Sequence, residues 1–454
     1  MPGFEFDKDS VALLREALER LEQGFSGLPA VPLPAGRSYS ASAVRELLLE
    51  VATRMQDNYP YFHPNYAGQM LKPPHPVARL AYSLAMHVNP NNHALDGSRA
   101  SSPMEKEAVA GIARMFGWDT HLGHLTGGGT MANLEALWVA GQLRPDAVVL
   151  ASSQAHYTHH RISGVLKLPF ESVRCDRFAR MDLNALEDRL KRGGVGTVVA
   201  TLGTTAVGSV DPLPEILALR ERYGFRLHAD CAYGGYYTLA SNLASPARAA
   251  FDRLREVDSI VIDPHKHGLQ PYGCGCVLFR DPAVGTYYQH QSPYTYFTSG
   301  DMHLGEISLE CSRAGAAAVA LWATQRLLPL VRGGEFAGML DGCRGAALEL
   351  YSALAGDPGF VVAFAPELDI VVWAVKADSL AESSARARHI FAEAAKRDLH
   401  LALAELPAKF FWPDDATLAN DATVVALRSV LIKSEHAGWV QQILEGVRQA
   451  AGVS

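Results

Sequence analysis

Between residues 104 and 279 short apolar runs alternate with helical stretches, and this alternation restricts the fold more than any other feature of the chain. Residues 104–116 carry a helical pattern. Residues 147–152 (AVVLAS), 197–202 (TVVATL), 226–229 (RLHA) and 259–262 (SIVI) read as buried strands, with helices over 182–191 and 213–223 between them. Strands apolar on both faces and separated by helices predict a parallel sheet covered on both sides. Residues 276–279 (CVLF) follow the fourth run after only a short loop, so they are expected to pair antiparallel.

Outside this region the pattern changes. An amphipathic helix over 10–23 and a Pro-rich connector over 27–38 make an N-terminal arm that buries little alone and needs the main body or a second subunit to pack on. A long helical segment, 308–355, precedes strands at 360–364, 369–375 and 423–431, helices near 383–396 and 437–450, and a loop over 409–423. The expected division is an arm at 1–75, a large α/β domain at 76–335 and a small C-terminal α+β domain at 336–454.

Composition removes several classes of function. Lys and Arg number 41 against 48 Asp and Glu, a net charge of −7, so no clustered cationic surface suggests nucleic-acid binding. No run of apolar residues is long enough to span a membrane. The opening MPGFEFDKDS lacks a secretion signal, and the six cysteines show neither zinc-ribbon spacing nor a disulfide framework. A cytoplasmic protein is the expectation.

Chemistry concentrates at five places, each at a strand end or helix start, where open α/β sheets bind ligands. TGGGTMAN (126–133) offers free N–H groups, a positive helix end and a hydroxyl, through Gly128, Gly129 and Thr130. It has neither the Lys of an ATP-binding loop nor the spacing of a dinucleotide site, and a plain Gly-rich turn is the competing reading. QAHYTHH (154–160) places His156 near the same sheet end, able to stack on a flat ligand. His156, His159 and His160 also suggest a metal, but no carboxylate or Cys set matches them, and no metal is expected. TLGTT (201–205), followed by Gly208 and Asp211, can contact a ligand or cap a turn. HADCAYGG (228–235) ends a strand with Asp230, either a helix cap or the counter-charge of a protonated ring nitrogen. DPHKHG (263–268) carries Lys266, able to form a Schiff base with an aldehyde cofactor. A phosphate cradle, a stacking ring, an acid and an imine-forming lysine are together the needs of pyridoxal 5′-phosphate.

In this order and at these separations, TGGGTMAN, QAHYTHH, TLGTTAVGSVDPLPEI, HADCAYGG and DPHKHGLQPYGCG resemble the group II pyridoxal-phosphate-dependent amino-acid decarboxylases. The resemblance runs from about Tyr61 to Arg326. Residues 89–109 (NPNNHALDGSRASSPMEKEAV) are most like the tyrosine decarboxylase branch, and the last 120 residues are only generically similar. The resemblance implies the fold-type I, aspartate aminotransferase-like architecture: a large domain with a mostly parallel seven-stranded sheet and a small α+β domain. It also implies a homodimer with active sites at the subunit interface. Lys266 would hold the cofactor as a Schiff base, and Asp230 would pair with the pyridine nitrogen. His156 and Ala232 would cover the two ring faces. Gly128, Gly129, Thr130 and His265 would bind the phosphate, and Thr205 would lie near the cofactor oxygen.

Two departures stand out. The residue after the lysine, often aromatic or Met in the family, is His267. The loop that carries a proton-donating Tyr in many members reads HQSPYTYFTSGD here, so Tyr294 and Tyr296 are both candidates for the acid, while Thr298 and Ser299 are candidates for the neighbouring subunit's phosphate. Donors to Asp230 are expected from His228 or Thr201. The competing activities are an aldehyde synthase, a carbon–carbon lyase or a desulfurase on the same fold, and a binding protein without turnover. A desulfurase needs a mobile nucleophilic Cys, and Cys274 and Cys276 lie in an apolar, core-like run. The substrate is an L-amino acid: Tyr61, Phe62, Tyr66 and Tyr272 would suit an aromatic one, Arg99 an acidic one. Branch resemblance favours the aromatic.

Overall fold

The structure is a computed structural model, and it describes residues 8–30, 40–289, 303–419 and 421–452. Helices α1 (Lys8–Gln23), α2 (Ala41–Met55) and α3 (Pro76–Met86) lead into α4 (Ser101–Met115). Then β1 (Leu122–Thr126), α5 (Gly129–Leu143), β2 (Val148–Ser152), α6 (Thr158–Leu166) and β3 (Phe170–Val173) follow in turn. The alternation continues through α7 (Leu183–Leu190), β4 (Val195–Thr201), α8 (Leu213–Tyr223), β5 (Arg226–Asp230), α9 (Ser245–Asp252), β6 (Ser259–Ile262) and β7 (Gly275–Phe279).

The seven strands form one sheet in the order β1-β7-β6-β5-β4-β2-β3. The four ladders from β6 to β3 are parallel, and β7 runs antiparallel to both its neighbours, as the short loop before it predicts. All residues of β6 and β7 are buried. Apolar runs without alternation are what a sheet covered on both faces requires. Local chemistry sets the helix ends: Asp182 caps α7 by accepting from the N–H groups of Asn184 (2.9 Å) and Ala185 (3.0 Å), and Gly224 closes α8 in the left-handed conformation.

β1 and β3 escaped the sequence reading. β1 is five residues with a Gly and a His, and β3 is four residues with two of them exposed, so neither carries an apolar run. The polar stretch before β1 explains how a strand forms there. Buried Glu105 on α4 accepts from the Leu125 N–H (2.9 Å), from Arg313 (2.8 Å) and from Asn92 (2.6 Å), adding hydrogen bonds to the apolar contact between α4 and Leu125.

The single helical segment expected over 308–355 is two helices, α10 (Gly315–Leu327) and α11 (Glu335–Ala355). Pro329, Gly333 and Gly334 separate them, with Gly333 at φ +74°. Beyond lie β8 (Phe360–Val362), β9 (Ile370–Val375), α12 (Leu380–Ala395), β10 (Ala402–Pro407), β11 (Thr423–Val430) and α13 (Val440–Ala451). Their four strands make an antiparallel sheet, β10-β11-β9-β8. β10 also went unread, because its alternation is weak and it includes Glu405 and Pro407.

Candidate active site

The parallel strands end at a cavity of about 540 Å³. Gly128, Gly129, Thr130, His156, Thr205, Asp230, Ala232, His265 and Lys266 all line it, so residues drawn from five separate motifs meet in one place. Tyr294, Tyr296, Thr298 and Ser299 lie outside the described residues.

One end of the cavity is built from two helix starts. Gly128 (φ +153°) turns the chain from β1 into α5. A Cβ on Gly129 would sit 2.7 and 2.9 Å from the two carboxylate oxygens of Asp263, so that position is closed to any side chain. The α6 start lies opposite, with the hydroxyls of Thr130 and Thr158 3.5 Å apart. Two positive helix ends and two hydroxyls make an anion cradle.

At the strand end, Asp230 is almost fully buried. Its Oδ2 accepts from His159 Nε2 at 2.8 Å and its Oδ1 from the Ala232 N–H at 3.1 Å. Burial alone would raise this carboxyl. The hydrogen bond and charge of His159, the Ala232 N–H and the charge of His228 outweigh it and hold the group well below the usual carboxylate range. Each oxygen keeps acceptor capacity on a residue that faces the cavity.

The three histidines of QAHYTHH take three different positions. His156 lines the cavity, its Nδ1 accepting from the Thr158 N–H (3.3 Å), and burial lowers its basicity. His159 supports Asp230, and His160 packs edge-on against Phe170 at 5.5 Å. Among the described residues no group of three or more His, Cys, Asp or Glu is arranged to hold a metal ion. His159 is the residue that sequence reasoning missed as the partner of Asp230. Its only signal was membership of the histidine cluster at the start of α6. The donors expected from His228 and Thr201 do not reach the carboxylate. His228 instead bonds Asn133 (2.8 Å) and Ser259 (2.9 Å), because its ring points across the sheet to α5 and β6. The Thr201 N–H goes to Asp211 (2.8 Å), and its hydroxyl has no hydrogen-bond partner. Asp211 also takes the Met181 N–H (2.7 Å) and so fixes the turn after β4; burial pushes its carboxyl up to about 7.

Lys266 lies four residues past β6, one-fifth exposed, with Nζ 3.1 Å from Asp263 Oδ2. His265 packs on Tyr272 with centroids 4.8 Å apart, the Tyr272 hydroxyl donates to the Met70 carbonyl (3.1 Å), and Tyr61 and Tyr66 meet edge-on at 4.9 Å; none of these three tyrosines lines the cavity. Thr205 is held from behind by Arg428, whose guanidinium donates to the carbonyls of Thr205 (2.7 Å), Ala206 (2.8 Å) and Gly68 (3.0 Å) and to Gln69 Oε1 (3.1 Å). Arg99 is exposed and does not line the cavity. Cys274 and Cys276 are fully buried, and burial pushes both thiols up, the reverse of what a nucleophile needs.

A fully ionised buried acid, an amine and an anion cradle around one cavity define a fold-type I pyridoxal-phosphate site. The donor set fits that cofactor's chemistry: the paired helix starts offer N–H groups and hydroxyls to a phosphate, Asp230 an anionic acceptor to a ring N–H, and Lys266 an amine to an aldehyde. The comparisons agree. The model of the pyridoxal-dependent decarboxylase conserved domain matches residues 134–376, and the chain belongs to that family. An L-tyrosine decarboxylase of Enterococcus faecium is 30% identical, with 63% of each chain covered. A probable L-tyrosine/L-aspartate decarboxylase of Methanothermobacter thermautotrophicus is 29% identical over 57% of this chain and 70% of its own. The match thus spans less than two thirds of the E. faecium relative and 58% of a second tyrosine decarboxylase, from Levilactobacillus brevis. Among solved structures, mouse CSAD superposes with a TM-score of 0.78 at 18% identity, covering 98% of this chain and 99% of its own. Oryza sativa TDC, solved with PLP and tryptamine, gives 0.78 at 18% with 99% of both covered. These likenesses establish the fold.

Proposed function

We propose that this protein decarboxylates an L-amino acid, with an aromatic one, tyrosine first, as the preferred substrate, and that Lys266 is the covalent anchor of the cofactor aldehyde. The observation that carries the reading is the placement of Lys266 and the His159-supported Asp230 on the same cavity. Bound there, pyridoxal phosphate supplies an electron-accepting ring that draws electrons from a bond at the substrate Cα. Asp230, anionic throughout the neutral range, keeps the ring nitrogen protonated. His159 prevents that carboxylate from turning away or taking up a proton. His156 and Ala232 would cover the ring faces, Gly128, Gly129, Thr130 and His265 would hold the phosphate, and Thr205 would meet the ring oxygen. The Lys266 amine, on the cavity wall, would hold the cofactor aldehyde when no substrate is bound. Tyr272, packed on the cavity-lining His265, favours an aromatic side chain, as do the tyrosine decarboxylases among the relatives.

We also propose a homodimer with the site at the subunit interface. In α2 no residue is buried, and Val44, Leu47, Leu48, Leu49, Val51 and Met55 are all exposed, an apolar surface that a second subunit would cover. A stable dimer of this kind buries more than about 2,000 Å², and an active, cofactor-loaded monomer in sedimentation would refute it.

Screening the twenty amino acids for carbon dioxide and amine tests the activity. Release of aldehyde, ammonia and peroxide instead would identify an oxidative enzyme. Borohydride reduction of the loaded protein should fix the cofactor to Lys266, and Lys266→Ala should abolish both the label and turnover. Label on another lysine overturns the assignment.

A further inference from the structure

Immediately after Lys266 the chain turns its next side chain away from the cavity into the protein. His267 is fully buried, with Nε2 2.8 Å from Asp369 Oδ2 and Nδ1 3.0 Å from the Tyr233 carbonyl. Both partners are acceptors. The carbonyl can only accept, and Asp369 is already an acceptor for the Tyr233 hydroxyl. Each ring nitrogen thus faces an oxygen, and the His267–Asp369 pair is a hydrogen-bonded imidazole–carboxylate contact with no exposed side-chain surface on either partner. The ring is held edge-on between Tyr233 (4.6 Å) and Tyr237 (5.1 Å). The next position is packed too closely for any side chain: a Cβ on Gly268 would lie 2.5 Å from the Tyr236 hydroxyl and 2.6 Å from Pro264 Cα.

The other end of the pair belongs to a different part of the molecule. Asp369 directly precedes β9 of the small sheet, and its carbonyl accepts from the Leu431 N–H (2.8 Å), just past β11. Tyr233, which donates to the same carboxylate, lines the cavity. Lys266, His267, Asp369 and Tyr233 thus form one closed chain from the amine to the small sheet and back to the cavity wall. Lysine has a long, freely rotating stem, so the placement of its amine depends on how firmly its root is held.

We propose that His267 and Asp369 are positioning residues for the active site: their buried hydrogen-bonded pair locks the Lys266 turn to the small sheet and so fixes the amine against the cofactor. This rests on Lys266 being the cofactor's anchor. An apolar side chain at 267 would pack the same volume, but it would not tie the turn to the small sheet in a defined direction.

The test uses the cofactor-loaded protein in four forms: wild type, His267→Leu, Asp369→Asn and the double variant. His267→Gln is the milder substitution should the leucine variant fail to fold. Each folded single variant is expected to keep full cofactor occupancy, to change the rate of borohydride reduction at Lys266 by more than threefold, and to lose roughly 10- to 100-fold in kcat with KM within threefold, the loss expected when a catalytic group is misplaced. The double variant should be no slower than the worse single one, because the two residues act as a unit. Unchanged reduction rates and kcat in folded variants, or losses that multiply in the double variant, overturn the proposal while Lys266 remains labelled in the wild type. Absence of label from wild-type Lys266 overturns the anchor assignment and this proposal together.

Discussion

Two buried imidazole–carboxylate pairs flank the lysine turn, His159–Asp230 and His267–Asp369, both at 2.8 Å, and they are built for different ends. Asp230 receives one side-chain donor and one backbone N–H and faces the cavity with acceptor capacity to spare. Asp369 has a side-chain donor on each oxygen, His267 and the Tyr233 hydroxyl, and no exposed surface. The first pair stores a negative charge for a ligand. The second consumes its charge within the protein, joining two sheets. The same chemistry leaves a carboxylate open to the cavity or closes it into a fastening according to whether a lone pair is left over.

The contrast predicts different losses. Asp230→Asn should leave cofactor bound but cut kcat by about a thousandfold, since the charge that sustains the ring as an electron acceptor is gone. A tenfold loss or less would remove Asp230 from that role. His159→Gln, which weakens one charge-assisted hydrogen bond of about 1.5–3 kcal/mol, should cost roughly 10- to 100-fold in kcat. If it matches Asp230→Asn, the histidine is more than a support.

Asp369→Asn should be felt most in stability. Breaking one side of a buried pair costs about 3–5 kcal/mol, measurable by denaturant unfolding. The pH dependence has a definite sign. The charge and hydrogen bond of His267 and the hydroxyls of Tyr233 and Tyr237 overcome burial and hold Asp369 below its ordinary 3.8. A carboxyl with a lowered folded value stabilises fully above the unfolded value and loses that contribution as pH falls through the folded one. The stability gap between wild type and Asp369→Asn should therefore be widest near neutrality and shrink below about pH 4; a gap that widens in acid contradicts the pairing.

The smallest effect on turnover belongs to a third pair, His124–Glu135, also buried at 2.8 Å but absent from the cavity lining. Glu135→Gln should lower stability and leave kcat within about twofold, as expected of a pair with no contact to the reacting groups. A large catalytic loss there would mean that breaking any buried pair disturbs the site, and the contrast would lose its meaning.

Much of the site was legible in the sequence because its residues sit in compact motifs at strand ends, where the parallel fold must gather them. TGGG, the acid of HADC and the lysine of DPHK each carry a local rule: closed space at glycine, a buried carboxylate, an amine at the end of an apolar strand. His159 was visible only as one member of a histidine cluster, and its partner, 71 positions away, is set by the fold bringing the start of α6 to the end of β5.

The amino-acid sequence alone determined the alternation that makes a covered parallel sheet, the antiparallel return of residues 276–279 and the set of side chains at the sheet's ligand-binding end. Those properties depend on period, turn length and residue type within short windows. The tertiary structure decided which carboxylate meets which imidazole. Asp369 reads in sequence only as the start of a strand, and His267 only as an unusual neighbour of a lysine. Their pairing spans 102 positions and exists because the small sheet packs behind the lysine turn, excluding water from both groups so that each must find its hydrogen-bond partner in the other.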